Sequence, residues 1–281
     1  MIKKSTISGL AFFLVSLLLS FICFSYLIPK SDPQLTKDDF LKASHQKLNY
    51  VAIGDSLTQG VGDTTHQGGF VPLVSQALES RYDYRVTSAN FGVSGNTSTQ
   101  ILKRMQNQEA IRSALTKANL MTLSVGGNDV MAVIKKNLAN LTLEAFSKAQ
   151  KEYQKHLASI IDTARADNSD LPIYVIGIYN PFYLNFPDMT KMQDVIDQWN
   201  QATEEVCDDY RDVYFVPVNE ALYKGIDGKE GVSQETQESS SVINDALFEG
   251  DHFHPNNIGY QIMSDQVMEK ISETKASWKT N

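Results

Sequence analysis

Short apolar runs alternate with longer amphipathic stretches along most of this chain. Leu48–Ile53, Arg85–Phe91, Leu120–Val125, Ile173–Ile178 and Val213–Val218 have strand length and β-branched content. Helical periods lie between them. Tyr153, Leu157, Ile160, Ile161 and Ala164 share one face, as do Val195, Trp199, Ala202 and Val206. Met263, Val267 and Ile271 recur every four residues after Pro255, which is placed to open a last helix. Five strands alternating with helices predict an α/β fold whose parallel sheet is covered on both faces. Ligands on such sheets gather where the strands end at their carboxyl side.

The N-terminus breaks this pattern. Lys3 and Lys4 precede an uncharged run that reaches Pro29, about the ~20 residues that cross a bilayer as a helix. Its exit, Phe24-Ser25-Tyr26-Leu27-Ile28-Pro29, lacks the small-residue pair of a cleavage site. An uncleaved anchor is favoured over a cleaved signal, with the N-terminus inside and the rest of the chain outside the cell membrane. The expected organisation is a transmembrane anchor or signal at 1–29, a polar spacer at 30–46, one domain at 47–275 and a tail at 276–281. Gly231 to Ser241 (GVSQETQESSS) reads as a mobile surface loop.

Composition narrows the field. The 281 residues are 42% hydrophobic, enough for a sizeable core, and the formal net charge is −8. That charge disfavours a partner held through phosphates, so no nucleic acid is expected. The two cysteines, Cys23 and Cys207, lie far apart and outside any metal-type spacing. Asp227, Glu249 and Asp251 lack the spacing of a calcium loop and read as solvated loop charge.

The residues after each predicted strand hold the candidate chemistry: Ser56 after the first, Gly92–Asn96 after the second, Gly126–Asp129 after the third, and Tyr179–Tyr183 after the fourth. Asp251–Pro255 precedes the last helix. A serine nucleophile needs a base, and the base needs an orienting acid. Of the five histidines, His254 stands three residues after Asp251, so the carboxylate can turn back to Nδ1 and leave Nε2 for Ser56. His252 reads as a loop residue, and His66 as a surface loop residue. An oxyanion needs converging donors. The Ser56 N–H, the Gly95 N–H and the Asn128 side chain can supply them. Asp55 and Asp129 read as turn supports. The aromatic run Tyr179, Phe182, Tyr183, Phe186 fits an acyl-binding wall or simple packing equally well.

Four blocks carry a family resemblance: GDSL at Gly54–Leu57, the glycine at Gly95, GGND at Gly126–Asp129 and DHFH at Asp251–His254. In this order they resemble the SGNH/GDSL hydrolase superfamily across about Leu48 to Ile271. The resemblance implies a three-layer α/β/α sandwich with a five-stranded parallel sheet, flavodoxin-like in outline. It implies Ser56 as nucleophile, His254 as base, Asp251 as orienting acid, and Ser56, Gly95 and Asn128 as the oxyanion hole. No metal or cofactor is implied. The expected activity is carboxylic ester hydrolysis through an acyl-serine intermediate, on a lipid or small acyl ester. An O-acetyl esterase acting on cell-envelope polysaccharide is the alternative, and a non-catalytic binder on the same fold is the rival from another class.

Overall fold

The computed structural model describes residues 4–27, 46–137, 143–181, 183, 190–223, 232–236 and 239–278. The chain divides into two units, 1–44 and 45–281. In the first, helix α1 (Lys4–Leu27) exposes its apolar side chains, with Phe12 at 76% and Phe21 at 71%. Among the described residues no helix is long and apolar enough to cross a membrane.

The second unit is built on strands β1 (Gln46–Gly54), β2 (Tyr84–Gly92), β3 (Leu120–Ser124), β4 (Ile173–Ile176) and β5 (Val213–Val216), all paired in parallel. Every predicted strand is present. Their order is β2-β1-β3-β4-β5, so the chain leaves β1 to one side and later returns on the other. The carboxyl end of β1 is therefore the switch point at which an open α/β sheet forms its crevice.

β3 and β4 are buried at every residue, because helices cover both faces and leave no polar side to alternate. Successive residues serve opposite cores. Val51, Ile53, Met121, Leu123 and Val175 face one, against α4 (Ser98–Asn107), α5 (Glu109–Leu115), α6 (Gly127–Lys136), α7 (Leu143–Arg165) and α8 (Thr190–Asp208). Tyr50, Ala52, Leu120, Tyr174 and Ile176 face the other, against α3 (Phe70–Tyr82) and α10 (Asn257–Thr274). The predicted faces of α7, α8 and α10 are all buried, and Cys207 is buried among them. Two short helices, α2 (Ser56–Gln59) and α9 (Asn219–Tyr223), follow β1 and β5.

Three expectations change. Gly231–Ser241 does not read through as loop: Val232–Thr236 and Ser239–Ile243 pair as antiparallel strands β6 and β7. The spread of Val, Thr and Ile supports extended backbone, and the polar residues between them masked it. Pro255 does not open α10. Asn256 caps it, its side chain accepting from the Ile258 and Gly259 amides, which satisfies donors that a proline cannot address. The tail does not begin at 276, since a 3₁₀ turn at Lys275–Ser277 leads to Trp278, whose indole N–H donates to the Tyr174 hydroxyl at 3.0 Å.

Candidate active site

β1 ends at Gly54, and the chain turns at once into α2. No side chain fits at Gly54, because a Cβ would stand 2.3 Å from Ser124 Oγ and 2.6 Å from the Ser124 carbonyl. Asp55 caps α2 by accepting from the Leu57 amide at 3.0 Å and accepts the Ser124 hydroxyl at 2.8 Å on the same oxygen. Burial pushes its carboxyl up to about 6, against the pull of the Ser124 and Leu57 hydrogen bonds. Asp55 is thus the turn support expected of it. Ser56, the next residue, is 7% exposed.

Asp251, 195 residues away in sequence terms only, closes its own loop. Its Oδ1 accepts from the Phe253 and His254 amides at 2.9 and 3.0 Å, and its Oδ2 meets His254 Nδ1 at 2.6 Å. Burial raises the Asp251 carboxyl, but the His254 side chain and these amides outweigh it and hold it below the usual carboxylate range. With Nδ1–H donated to a carboxylate, Nε2 is left as an acceptor. It stands 2.9 Å from Ser56 Oγ. Phe253 packs edge-on against the imidazole at 5.1 Å. His252 is exposed with φ +51, and His66 is exposed with φ +56, both as loop residues.

The donors expected around an oxyanion occupy neighbouring loops. The amide hydrogens of Ser56 and Gly95 have no acceptor among the described residues. Gly95 has φ +79 with open space where a Cβ would be, so glycine is required by the backbone angle and not by crowding. Asn128 donates one amide hydrogen to the Asn96 carbonyl at 3.0 Å, which orients the other.

Further side chains hold these loops together. Gln59 accepts the Ser94 amide at 2.6 Å. Asp129 accepts the Ser98 amide at 2.9 Å and the Ser98 hydroxyl at 2.6 Å, and His156 Nδ1 lies 3.1 Å from the same hydroxyl. Burial raises the Asp129 carboxyl in spite of the Ser98 bonds. Asp129 therefore supports the loop before α4 rather than its own turn. On the far side of Ser56, Tyr179 is buried and donates to the Phe253 carbonyl at 2.5 Å. Tyr183 stacks on Tyr223 at 4.2 Å. Phe182, Phe186 and Asp227 lie outside the described residues. Among the described residues no cluster of three His, Cys, Asp or Glu could hold a metal.

A parallel sheet with a hydrogen-bonded acid–imidazole–hydroxyl chain at its switch point, and neighbouring amides without an acceptor, is an arrangement suited to acyl-transferring hydrolysis. The chain belongs to the GDSL-like lipase/acylhydrolase family, whose model matches residues 52–262, and its activity class is carboxylic ester hydrolysis. It is 27% identical over 223 residues to the uncharacterized protein YpmR of Bacillus subtilis strain 168, covering 79% of this chain and 80% of that one. It is 27% identical over 224 residues to the spore germination lipase LipC of Bacillus licheniformis, covering 78% and 94%. Among solved structures, the lipase Lip_vut3 from a goat rumen metagenome superposes with a TM-score of 0.63 at 23% identity, covering 79% and 96%. The α/β fold is shared with that solved structure.

Proposed function

We propose that Ser56 is the nucleophile of this ester hydrolase, with His254 as its base and Asp251 as the acid that orients the base. The observation that carries the reading is the unbroken chain from Asp251 Oδ2 through His254 to Ser56 Oγ, 2.6 and 2.9 Å per link. Ser56 Oγ attacks the ester carbonyl as its proton passes to His254 Nε2. The resulting oxyanion lies against the Ser56 and Gly95 amides and the free Asn128 amide hydrogen. His254 returns the proton to the departing alcohol, leaving an acyl-Ser56 ester. A water deprotonated by His254 then releases the acid and restores the hydroxyl. Asp251 remains ionised throughout and stabilises the imidazolium.

The test is Ser56→Ala with aryl esters. Turnover should fall by about a thousandfold or more, and covalent labelling by a fluorophosphonate should vanish. Unchanged turnover by Ser56→Ala would remove Ser56 from the mechanism.

We infer further that the apolar N-terminal segment attaches the domain to the outer face of the cell membrane. The supporting features are the flanking lysines and an apolar surface on α1 with Leu18 and Phe24 at 60% and 64% exposed. Recovery of the full chain in the soluble fraction, without detergent, would refute this.

A further inference from the structure

We propose, resting on the Ser56 reading, that Arg104 is a positioning residue for the oxyanion site: its guanidinium holds both sides of the loop that presents Gly95 and, through Asn96, orients Asn128. Arg104 Nη2 donates to the Phe91 carbonyl at 2.7 Å, and Nη1 donates to Asn96 Oδ1 at 3.3 Å. Phe91 lies near the end of β2, and Asn96 directly follows Gly95. One planar fork therefore bridges the two sides of residues 92–95. The Asn96 carbonyl in turn accepts from Asn128 Nδ2 at 3.0 Å. A displaced Asn96 moves the Gly95 and Asn128 donors together.

The loop leaves one amide open. Those of Gly92, Val93, Ser94, Asn96 and Thr97 each donate within the protein, at 2.6–3.2 Å, whereas Gly95 has no acceptor among the described residues. A single open donor in a loop otherwise fully bonded is available to a substrate. Packing does not hold Gly95 in place, since nothing lies within 4 Å of where its Cβ would be. Its position is inherited from the hydrogen bonds of its neighbours.

Arg104 is suited to anchor them. It stands in the last turn of α4, whose Ile101 and Met105 are fully buried in the core. No carboxylate pairs with it among the described residues, so both of its hydrogen bonds serve this loop. A lysine, a point donor on a flexible stem, cannot hold both acceptors at once.

The experiment compares the full chain with Arg104→Met, Arg104→Lys and Asn96→Ala. It measures kcat and KM on an aryl ester, inhibition by a trifluoromethyl ketone, whose adduct with Ser56 is a tetrahedral oxyanion, and fluorophosphonate labelling of Ser56. Arg104→Met should lower kcat by about 10–100-fold with KM little changed, as expected for displaced rather than deleted donors. Its ketone inhibition constant should rise by the same factor as kcat/KM falls. Arg104→Lys should recover part of both. Asn96→Ala should reproduce part of both, and adding it to Arg104→Met should cost less than the sum of the two. Folded, labelled Arg104 variants with wild-type kcat, or with lowered kcat and an unmoved ketone constant, would overturn the proposal and leave Ser56 in place. If Arg104→Met does not fold, the same criterion applied to Arg104→Lys and Asn96→Ala decides. Absence of both labelling and turnover in a folded wild type would overturn the Ser56 reading and this inference with it.

Discussion

Asp63 offers a sharp test of how the loop behind the imidazole is held. It is 8% exposed and stands at the centre of residues 60–69. Its Oδ1 accepts from the Thr65 amide at 2.8 Å and the Thr65 hydroxyl at 2.5 Å. Its Oδ2 accepts from the amides of Gln67, Gly68 and Gly69 at 3.0, 3.0 and 3.1 Å. Burial pushes the carboxyl up, but these bonds outweigh it and hold it at about 2, against an ordinary value of 3.8. At 1.36 kcal/mol per pKa unit, the difference corresponds to about 2 kcal/mol of folding stability. The sign is that of a depressed acid: the contribution is complete above about pH 4 and is lost as the pH falls toward 2. Asp63→Asn replaces one oxygen with a donor, so either the Thr65 amide and hydroxyl or the three amides of Gln67, Gly68 and Gly69 lose their acceptor, whichever way the amide turns. The cost at neutral pH should be about 2–4 kcal/mol. The loop also abuts the site. A Cβ at Gly62 would lie 3.3 Å from His254 Cβ, so activity should fall in the same variant. Urea denaturation at pH 7, 4 and 2.5 measures this directly. The wild type and Asp63→Asn should differ most at pH 7 and converge at the lowest pH. Equal stabilities at pH 7, or a gap that persists unchanged to pH 2.5, would refute the reasoning.

Two further substitutions probe the catalytic geometry. Asp251→Asn keeps an oxygen for the Phe253 and His254 amides but removes the acceptor for His254 Nδ1–H, so kcat should drop with little change in KM. The side chain is 35% exposed, and water can partly replace it, so the fall should lie nearer ~10² than the ~10⁴ of a buried triad acid; an unaltered kcat would deny Asp251 its orienting role. Ser98→Ala deletes the 2.6 Å bond to Asp129 and loosens the segment that presents Gly95. Its kcat and its fluorophosphonate labelling rate should fall together by about tenfold, below the ~10²–10³ cost of losing an oxyanion donor outright, and Ser98→Thr should restore part of both. A loss confined to thermal stability would make Ser98 merely structural.

What the sequence displayed, and what it hid, follows from the range of the interactions. The strands were legible because a parallel sheet covered on both faces needs runs that are apolar almost throughout: β4 is Ile-Tyr-Val-Ile, and β3 is broken only by the buried hydroxyls of Thr122 and Ser124. The Asp251–His254 pairing was legible because its geometry lies within three residues. Ser98, Ser124 and Gln59 were not. Each is a small or medium polar residue whose meaning rests on one partner 31, 69 or 35 positions away, and nothing local distinguishes it from a solvated turn residue. Asp63 was hidden for a different reason. Its partners are nearby, but a Gly- and Thr-rich stretch reads as an ordinary turn. The hairpin at 232–243 escaped because its connection carries no Gly or Asn signal.

These long-range bonds are what give the site its order. Ser56 and His254 are 198 residues apart; Ser56 is the first residue of the one-turn helix α2 and His254 lies on a loop, so neither sits in the interior of a strand or long helix. The Ser56 turn is fixed to β3 through Asp55 and Ser124, and to the Gly95 loop through Gln59 and Ser94. The Gly95 loop is fixed to α6 through Asn96 with Asn128 and Ser98 with Asp129. The His254 loop is fixed by Asn256, whose side chain donates to the Asp245 and Leu247 carbonyls, and by Tyr260, whose hydroxyl donates to the Val61 carbonyl. A relay of two short hydrogen bonds tolerates displacements well under 1 Å. The cross-loop bonds must supply that tolerance, because sheet packing positions only the strand ends. Loss of one such bond should therefore lower kcat before it lowers global stability, while truncation of a core residue such as Leu123 or Val175 should act in the reverse order.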